Sequence, residues 1–137
     1  MPFSYEYINR ILEQGKQVFN DVTVPSLIHG DLWPGNILIQ NGSISSVIDF
    51  ERSFWGDPVM EYPFGLMSNK NAFIRGYNRD NGFKNDAYTC VRRTIYNIYH
   101  YLIVKIEKPF RGFPESSHNL LVDLKIKKEI EFLKSQY

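Results

Sequence analysis

His29-Gly30-Asp31-Leu32-Trp33-Pro34-Gly35-Asn36-Ile37-Leu38 is followed in this chain by Val47-Ile48-Asp49-Phe50-Glu51 and then by Trp55-Gly56-Asp57-Pro58. Pro34 and Gly35 beside the polar positions of the first segment mark a loop. Ile37-Leu38-Ile39-Gln40 and Ile44-Ser45-Ser46-Val47-Ile48 read as two short strands, and the Asn41-Gly42 dipeptide between them is the strongest short-range hairpin signal. The loop thus enters a β-hairpin that carries Asp49 back alongside Asn36. Two oxygen ligands from different strand ends can share a metal site, which a lone Asp or Asn cannot do.

Phosphoryl transfer needs a carboxylate to orient or deprotonate an attacking hydroxyl, and oxygen ligands that hold a divalent cation against the phosphates. A kinase catalytic loop sets His two positions before the Asp and Asn five after it, then brings a metal-binding Asp followed by Phe from the next strand. His29, Asp31 and Asn36 have that spacing, and Asp49-Phe50 closes the hairpin. Each residue alone has a plainer use: Asp31 and Asp57 as turn caps, Asn36 as a turn residue, His29 as a partly buried imidazole. Specificity comes from residue types, spacing and strand-turn-strand context together.

The segments HGDLWPGNIL, VIDFE and WGDP resemble the central signature of the aminoglycoside phosphotransferase and choline kinase group, whose relatives include fructosamine and homoserine kinases. The likeness to protein kinases is weaker, because Gly30 replaces their Arg, Trp33 their Lys, and Glu51 the Gly after Asp-Phe. The resemblance covers about residues 27–62. It implies a small-molecule hydroxyl as acceptor, ATP or GTP as donor, Asp31 as catalytic base, and Asn36 and Asp49 as Mg²⁺ ligands. It further implies that His29 braces the backbone around Asp49 and that Asp57 buttresses the catalytic loop. Glu51 and Trp33 are candidate contacts to substrate or metal. Against that, a charge ending a strand is as often solvated, and for Trp33 and Trp55 packing outweighs stacking on a substrate.

Outside the signature the pattern is helical. Tyr5, Ile8, Leu12, Gly15 and Phe19 predict a helix over residues 4–20 with Ser4 as N-cap, and helical pieces follow from Val59 to Arg79. Tyr88, Val91, Ile95, Ile98, Leu102 and Ile106 predict a helix over residues 85–107, capped by Asn85 or Asp86 and ended by Pro109 and Gly112. Ser116 or Ser117 caps a last helix carrying Leu120, Leu124, Ile130, Leu133 and Tyr137, with Lys127 and Lys128 on its wet face. Arg92-Arg93 reads as a wet face too. The expected class is mainly α with a small β-hairpin (α+β), one domain over residues 1–137, its catalytic and metal motifs in 27–62 and a helical remainder in 63–137. The resemblance implies the C-terminal lobe of the protein-kinase-like fold. The N-terminal ATP-binding lobe is expected to be absent, because no Gly-rich loop, strand Lys or hinge precedes His29.

Composition narrows the partners. The 137 residues carry a net charge of +1, so there is no basic field of the kind that drives nucleic-acid or membrane-surface binding. Cys90 is the only cysteine and cannot form an internal disulfide. No leader pattern or membrane-length apolar run occurs, and a cytoplasmic location is expected. Two functions follow: the catalytic lobe of an ATP-dependent phosphotransferase, incomplete as a lone chain and weakly active in isolation, or a non-catalytic relative that binds a small molecule or protein. Without a covering lobe, Ile8, Ile11, Val22, Val24, Leu27 and Trp33 are expected to expose apolar surface, covered in a homodimer or by a separate N-terminal-lobe protein.

Overall fold

The computed structural model describes residues 4–62, 70–81, 86–110 and 116–136. It is mainly helical with two small antiparallel sheets, and it falls into two compact units, Met1–Asp21 with Asp86–Tyr137, and Val22–Asn85. Expectations that fall on residues 63–69, Asn85, Gly112 and Tyr137 lie outside the described residues.

The first unit contains helices α1 (Tyr5–Gly15), α3 (Ala87–Phe110) and α4 (Ser116–Lys134). Ser4 caps α1 in extended backbone, its hydroxyl accepting from the Tyr7 N–H at 3.3 Å. The helix stops at Gly15, and the chain tightens into a 3₁₀ turn over Lys16–Asp21, shorter than the helix expected through residue 20. Asp86 caps α3 by accepting from the Thr89 N–H at 2.7 Å. Asn97 meets Glu129 and Lys105 meets Asp123, so α3 and α4 run antiparallel.

Val91, Ile95 and Ile98 on α3 face Val122, Ile126, Ile130 and Leu133 on α4 across the core, each at steps of three or four residues. The apolar face of α4 differs from the expected one, since Leu120 and Leu124 are exposed at 65% and 55% while Val122 and Ile126 are buried. Tyr88 and Ile106, near the ends of α3, are exposed as well. Ile11 is buried, contrary to the expectation that it lies on an open face.

Arg92 also corrects the sequence reading. It is 6% exposed, and its guanidinium donates to the Val18 carbonyl at 3.0 Å and the Thr89 hydroxyl at 3.3 Å, with the Asp21 carboxylate 3.8 Å away. The 3₁₀ turn supplies acceptors, the Val18 carbonyl and the Asp21 carboxylate, that a helical pattern cannot reveal, and an acceptor set of this kind makes a buried guanidinium tolerable.

The second unit contains two strand pairs and helix α2 (Lys70–Asn81). Strands β2 (Ile37–Gln40) and β3 (Ser43–Val47) form the expected hairpin, and Asn41 and Gly42 turn it with φ of 52° and 77°. Positive φ at both central residues suits the right-handed twist of the strands. A second pair was not legible in the sequence: β1 (Ser26–Ile28) is antiparallel to β4 (Phe54–Gly56), with Leu27 opposite Trp55. The partner of β4 lies far back in the chain, and three residues show no periodicity.

Leu133 is fully buried, so Leu133→Ala is expected to cost about 2–5 kcal/mol, whereas Leu124→Ala should change stability by less than about 0.5 kcal/mol, both read from urea denaturation. Glu129 gives a pH prediction. Burial raises its pKa above the usual glutamate value of 4.5, with Asn97, Thr94, Arg93 and Lys128 pulling it back down. The folded state therefore holds this proton to higher pH than the unfolded state, and stability contributed here falls as pH rises above 4.5 through the raised value. Glu129→Gln should flatten that slope in urea midpoints measured across the window.

Candidate active site

The site is built from the chain leaving β1. Ile28 is fully buried, and its pairing with Phe54 fixes where His29 emerges. The next two backbone amides, of His29 and Gly30, donate to the two carboxylate oxygens of Glu61 at 3.1 and 3.0 Å. Glu61 closes a 3₁₀ turn over Pro58–Glu61 that Asp57 starts, its carboxylate accepting from the Val59 N–H at 3.0 Å. Burial raises the Glu61 pKa, the amides of Gly30 and His29 and the His29 ring lower it, and the Asp31 charge raises it. The competition is between removing a carboxylate from water and giving it two well-placed donors.

Gly30 takes φ +79°, and a Cβ there would stand 2.6 Å from the Arg52 carbonyl oxygen. Only glycine fits both the left-handed backbone and the close approach. This explains in physical terms why Gly, and no larger residue, stands between His29 and Asp31.

His29 is 4% exposed and uses both ring nitrogens. Nδ1 accepts from the Asp31 N–H at 3.2 Å, so the ring hydrogen sits on Nε2, which donates to the Ile48 carbonyl at 2.8 Å. The Phe50 ring packs on the imidazole with centroids 4.5 Å apart. One side chain therefore joins the loop to both neighbours of Asp49.

Asn36 ends the Pro34–Asn36 3₁₀ turn, buried at 6%. Its Nδ2 donates to the Asp31 carbonyl at 2.9 Å, and its own carbonyl accepts from the Ile48 N–H at 3.0 Å. Spending the NH₂ on a carbonyl leaves the amide oxygen Oδ1 as the end suited to a cation. Asp49 follows Ile48 directly, is exposed, and has φ +66°. A non-glycine residue in the left-handed region is uncommon and clusters at functional sites.

Asp31 is half-buried; Glu51 is exposed. The Trp33 ring lies over Gly35 and is 45% exposed, and Trp55 is 71% exposed, so the expectation of packed tryptophans fails for Trp55. Among the described residues no group of three His, Cys, Asp or Glu side chains could hold a metal ion. The Asn36 amide and Asp49 carboxylate are nevertheless hard oxygen donors, the set Mg²⁺ accepts when phosphates and waters complete its shell.

A family described as the phosphotransferase enzyme family matches residues 6–92, more than half of the chain. The chain belongs to this phosphotransferase family. A probable ketoamine kinase of Vibrio vulnificus is 35% identical over 102 residues, covering 72% of this chain and 34% of the relative. The chain thus spans about a third of the length of the curated relative it matches. No solved structure matches it. Among the described residues no helix is long and apolar enough to cross a membrane.

Glu61 had not stood out in the sequence, although a lone carboxylate in the run Val59-Met60-Glu61-Tyr62 is the signal that could have found it. Gly30→Ala and Gly42→Ala test the loop. Both glycines have positive φ, but a Cβ at Gly42 meets nothing within 4 Å. The strain common to both is about 1–2 kcal/mol. Gly30→Ala should therefore unfold at clearly lower urea concentration than Gly42→Ala, and equal midpoints would remove the weight given to Arg52.

Proposed function

We propose that the chain carries the catalytic and metal-binding segment of a small-molecule phosphotransferase of the aminoglycoside phosphotransferase and choline kinase group, corresponding to the C-terminal lobe of the kinase-like fold. In this reading Asp31 is the base that accepts the acceptor hydroxyl proton, and Asn36 Oδ1 and the Asp49 carboxylate hold Mg²⁺. Bound Mg²⁺ would neutralise charge on the phosphates of an ATP donor. His29 keeps the Asp49 backbone in register with Asp31, Asp57 starts the turn that delivers Glu61, and Glu51 and Trp33 contact the acceptor or the metal.

The carrying observation is the single network in which Asp31, Asn36, His29 and Ile48 are hydrogen-bonded, with Asp49 next in the chain. It supports convergence of a base and two oxygen ligands from separate elements, as in-line transfer demands. The relative's name points to a ketoamine as acceptor class. The working location is the cytoplasm. The proposed partner is a second copy of the chain or a separate polypeptide.

Mn²⁺ stands in for Mg²⁺ in a direct test. Titrated into the ¹⁵N-labelled chain, it should broaden the side-chain amide signal of Asn36 and the backbone signal of Asp49 first, and Asp49→Asn should abolish this. With Mg-ATP and a ketoamine acceptor, the weak transfer expected of the isolated chain should fall about 10²–10⁴-fold in kcat in Asp31→Asn, with little change in acceptor KM. Transfer that survives Asp31→Asn would defeat the base assignment. No broadening at either residue, together with no transfer, would leave the non-catalytic binding module as the better reading.

A further inference from the structure

Next to Glu61 in the chain begins an aromatic cluster that plays no part in the contacts of the site. Tyr62, the next residue, is 6% exposed, and its ring meets the edge of Tyr77 on α2 with centroids 6.2 Å apart at 64°. Tyr77 is in turn stacked on Phe73, one helical turn earlier, at 5.3 Å and 15°. Residues four apart share a helix face, so Phe73 and Tyr77 present one aromatic ridge from α2. Glu61, 2% exposed, is the most water-excluded carboxylate among the described residues. Burial pushes the Tyr77 phenol far above the usual tyrosine range, and the charges of Glu61, Tyr62 and Asp57 add to the effect.

We propose that Tyr77 is a positioning residue for the candidate phosphoryl-transfer site: with Phe73 it forms an aromatic backing on Tyr62 that keeps water from Glu61 and so holds the His29 and Gly30 amides on that carboxylate. The physical basis is the local dielectric. A charge-assisted hydrogen bond strengthens as water is excluded, and the same carboxylate opened to water trades its amide partners for solvent. Asp31 is coupled to the two amides, since its own N–H donates to the His29 ring, while its carbonyl accepts from Asn36 Nδ2 and the Trp33 N–H. The ring carries this role, and α2, with no contribution of its own to the chemistry, decides how rigid the catalytic loop is.

The inference rests on the phosphotransferase reading for its consequence in catalysis, but its test needs no turnover. Amide hydrogen exchange is measured by NMR on the full chain for Tyr77→Leu, which keeps apolar volume without the ring, and for Tyr77→Phe, which keeps the ring. In Tyr77→Leu the amides of His29 and Gly30 should exchange roughly tenfold faster or more, while those of Ile39 and Ile44 in the hairpin keep their rates. Tyr77→Phe should restore the wild-type rates at His29 and Gly30. Unchanged exchange at His29 and Gly30 in Tyr77→Leu would overturn the proposal, as would equal acceleration at Ile39 and Ile44, or failure of Tyr77→Phe to restore. If Tyr77→Leu does not fold, Phe73→Leu is read by the same criteria. Faster exchange in a chain that neither binds Mn²⁺ nor transfers phosphate would sink the phosphotransferase reading and leave the coupling standing.

Discussion

A carboxylate that is 2% exposed and faces two consecutive backbone amides is the constraint on which the Val22–Asn85 unit depends. Two oxygens of one rigid group take the donors of His29 and Gly30, so the two peptide planes must lie side by side, and that forces the turn at Gly30 into φ +79°. The backbone then passes close to the Arg52 carbonyl, where no Cβ fits. Losing Glu61 would leave the buried His29 donor unsatisfied, at about 1–3 kcal/mol, and the partly buried Gly30 donor without its partner. That is large beside the contribution of any exposed ion pair in the chain, such as Lys16 with Glu13.

From that fixed point the rest of the site follows by short links. His29 spends one nitrogen on the loop and the other on Ile48, and Asn36 spends its NH₂ on Asp31 and its carbonyl on Ile48. Two sheets that share no strand are thereby joined at Ile48, and the peptide next to Asp49 is held from both sides. Each two-stranded pair is marginal on its own. The cross-links between them supply what a wider sheet would give elsewhere.

The first unit uses a different principle. Its core is a helix pair with apolar side chains at steps of three and four, and the polar contacts lie along the seam and at the 3₁₀ turn, where Arg92 meets the Val18 carbonyl. The family match, residues 6–92, starts in α1 and ends within α3, so it takes in parts of both units. The likeness is carried by the order of the chain as well as by the loop chemistry.

What the sequence determined by itself is whatever a few neighbouring residues settle. Asn41-Gly42 made the hairpin, Ser4 and Asp86 made helix starts, and the spacing of His29, Asp31 and Asn36 before Asp49-Phe50 made the signature, because each rests on contacts within a turn or on chemistry that needs a fixed interval. Tertiary structure decided the rest. Glu61 meets its amides 31 and 32 residues away and Arg92 meets Val18 across 74, while Phe54–Gly56 becomes a strand only because Ser26–Ile28 lies beside it. A buried charge looks like a surface charge until its partner is known, and a three-residue strand has no period to read. Only the folded chain brings those partners together, since burial and pairing are properties of what surrounds a residue and not of the residue itself.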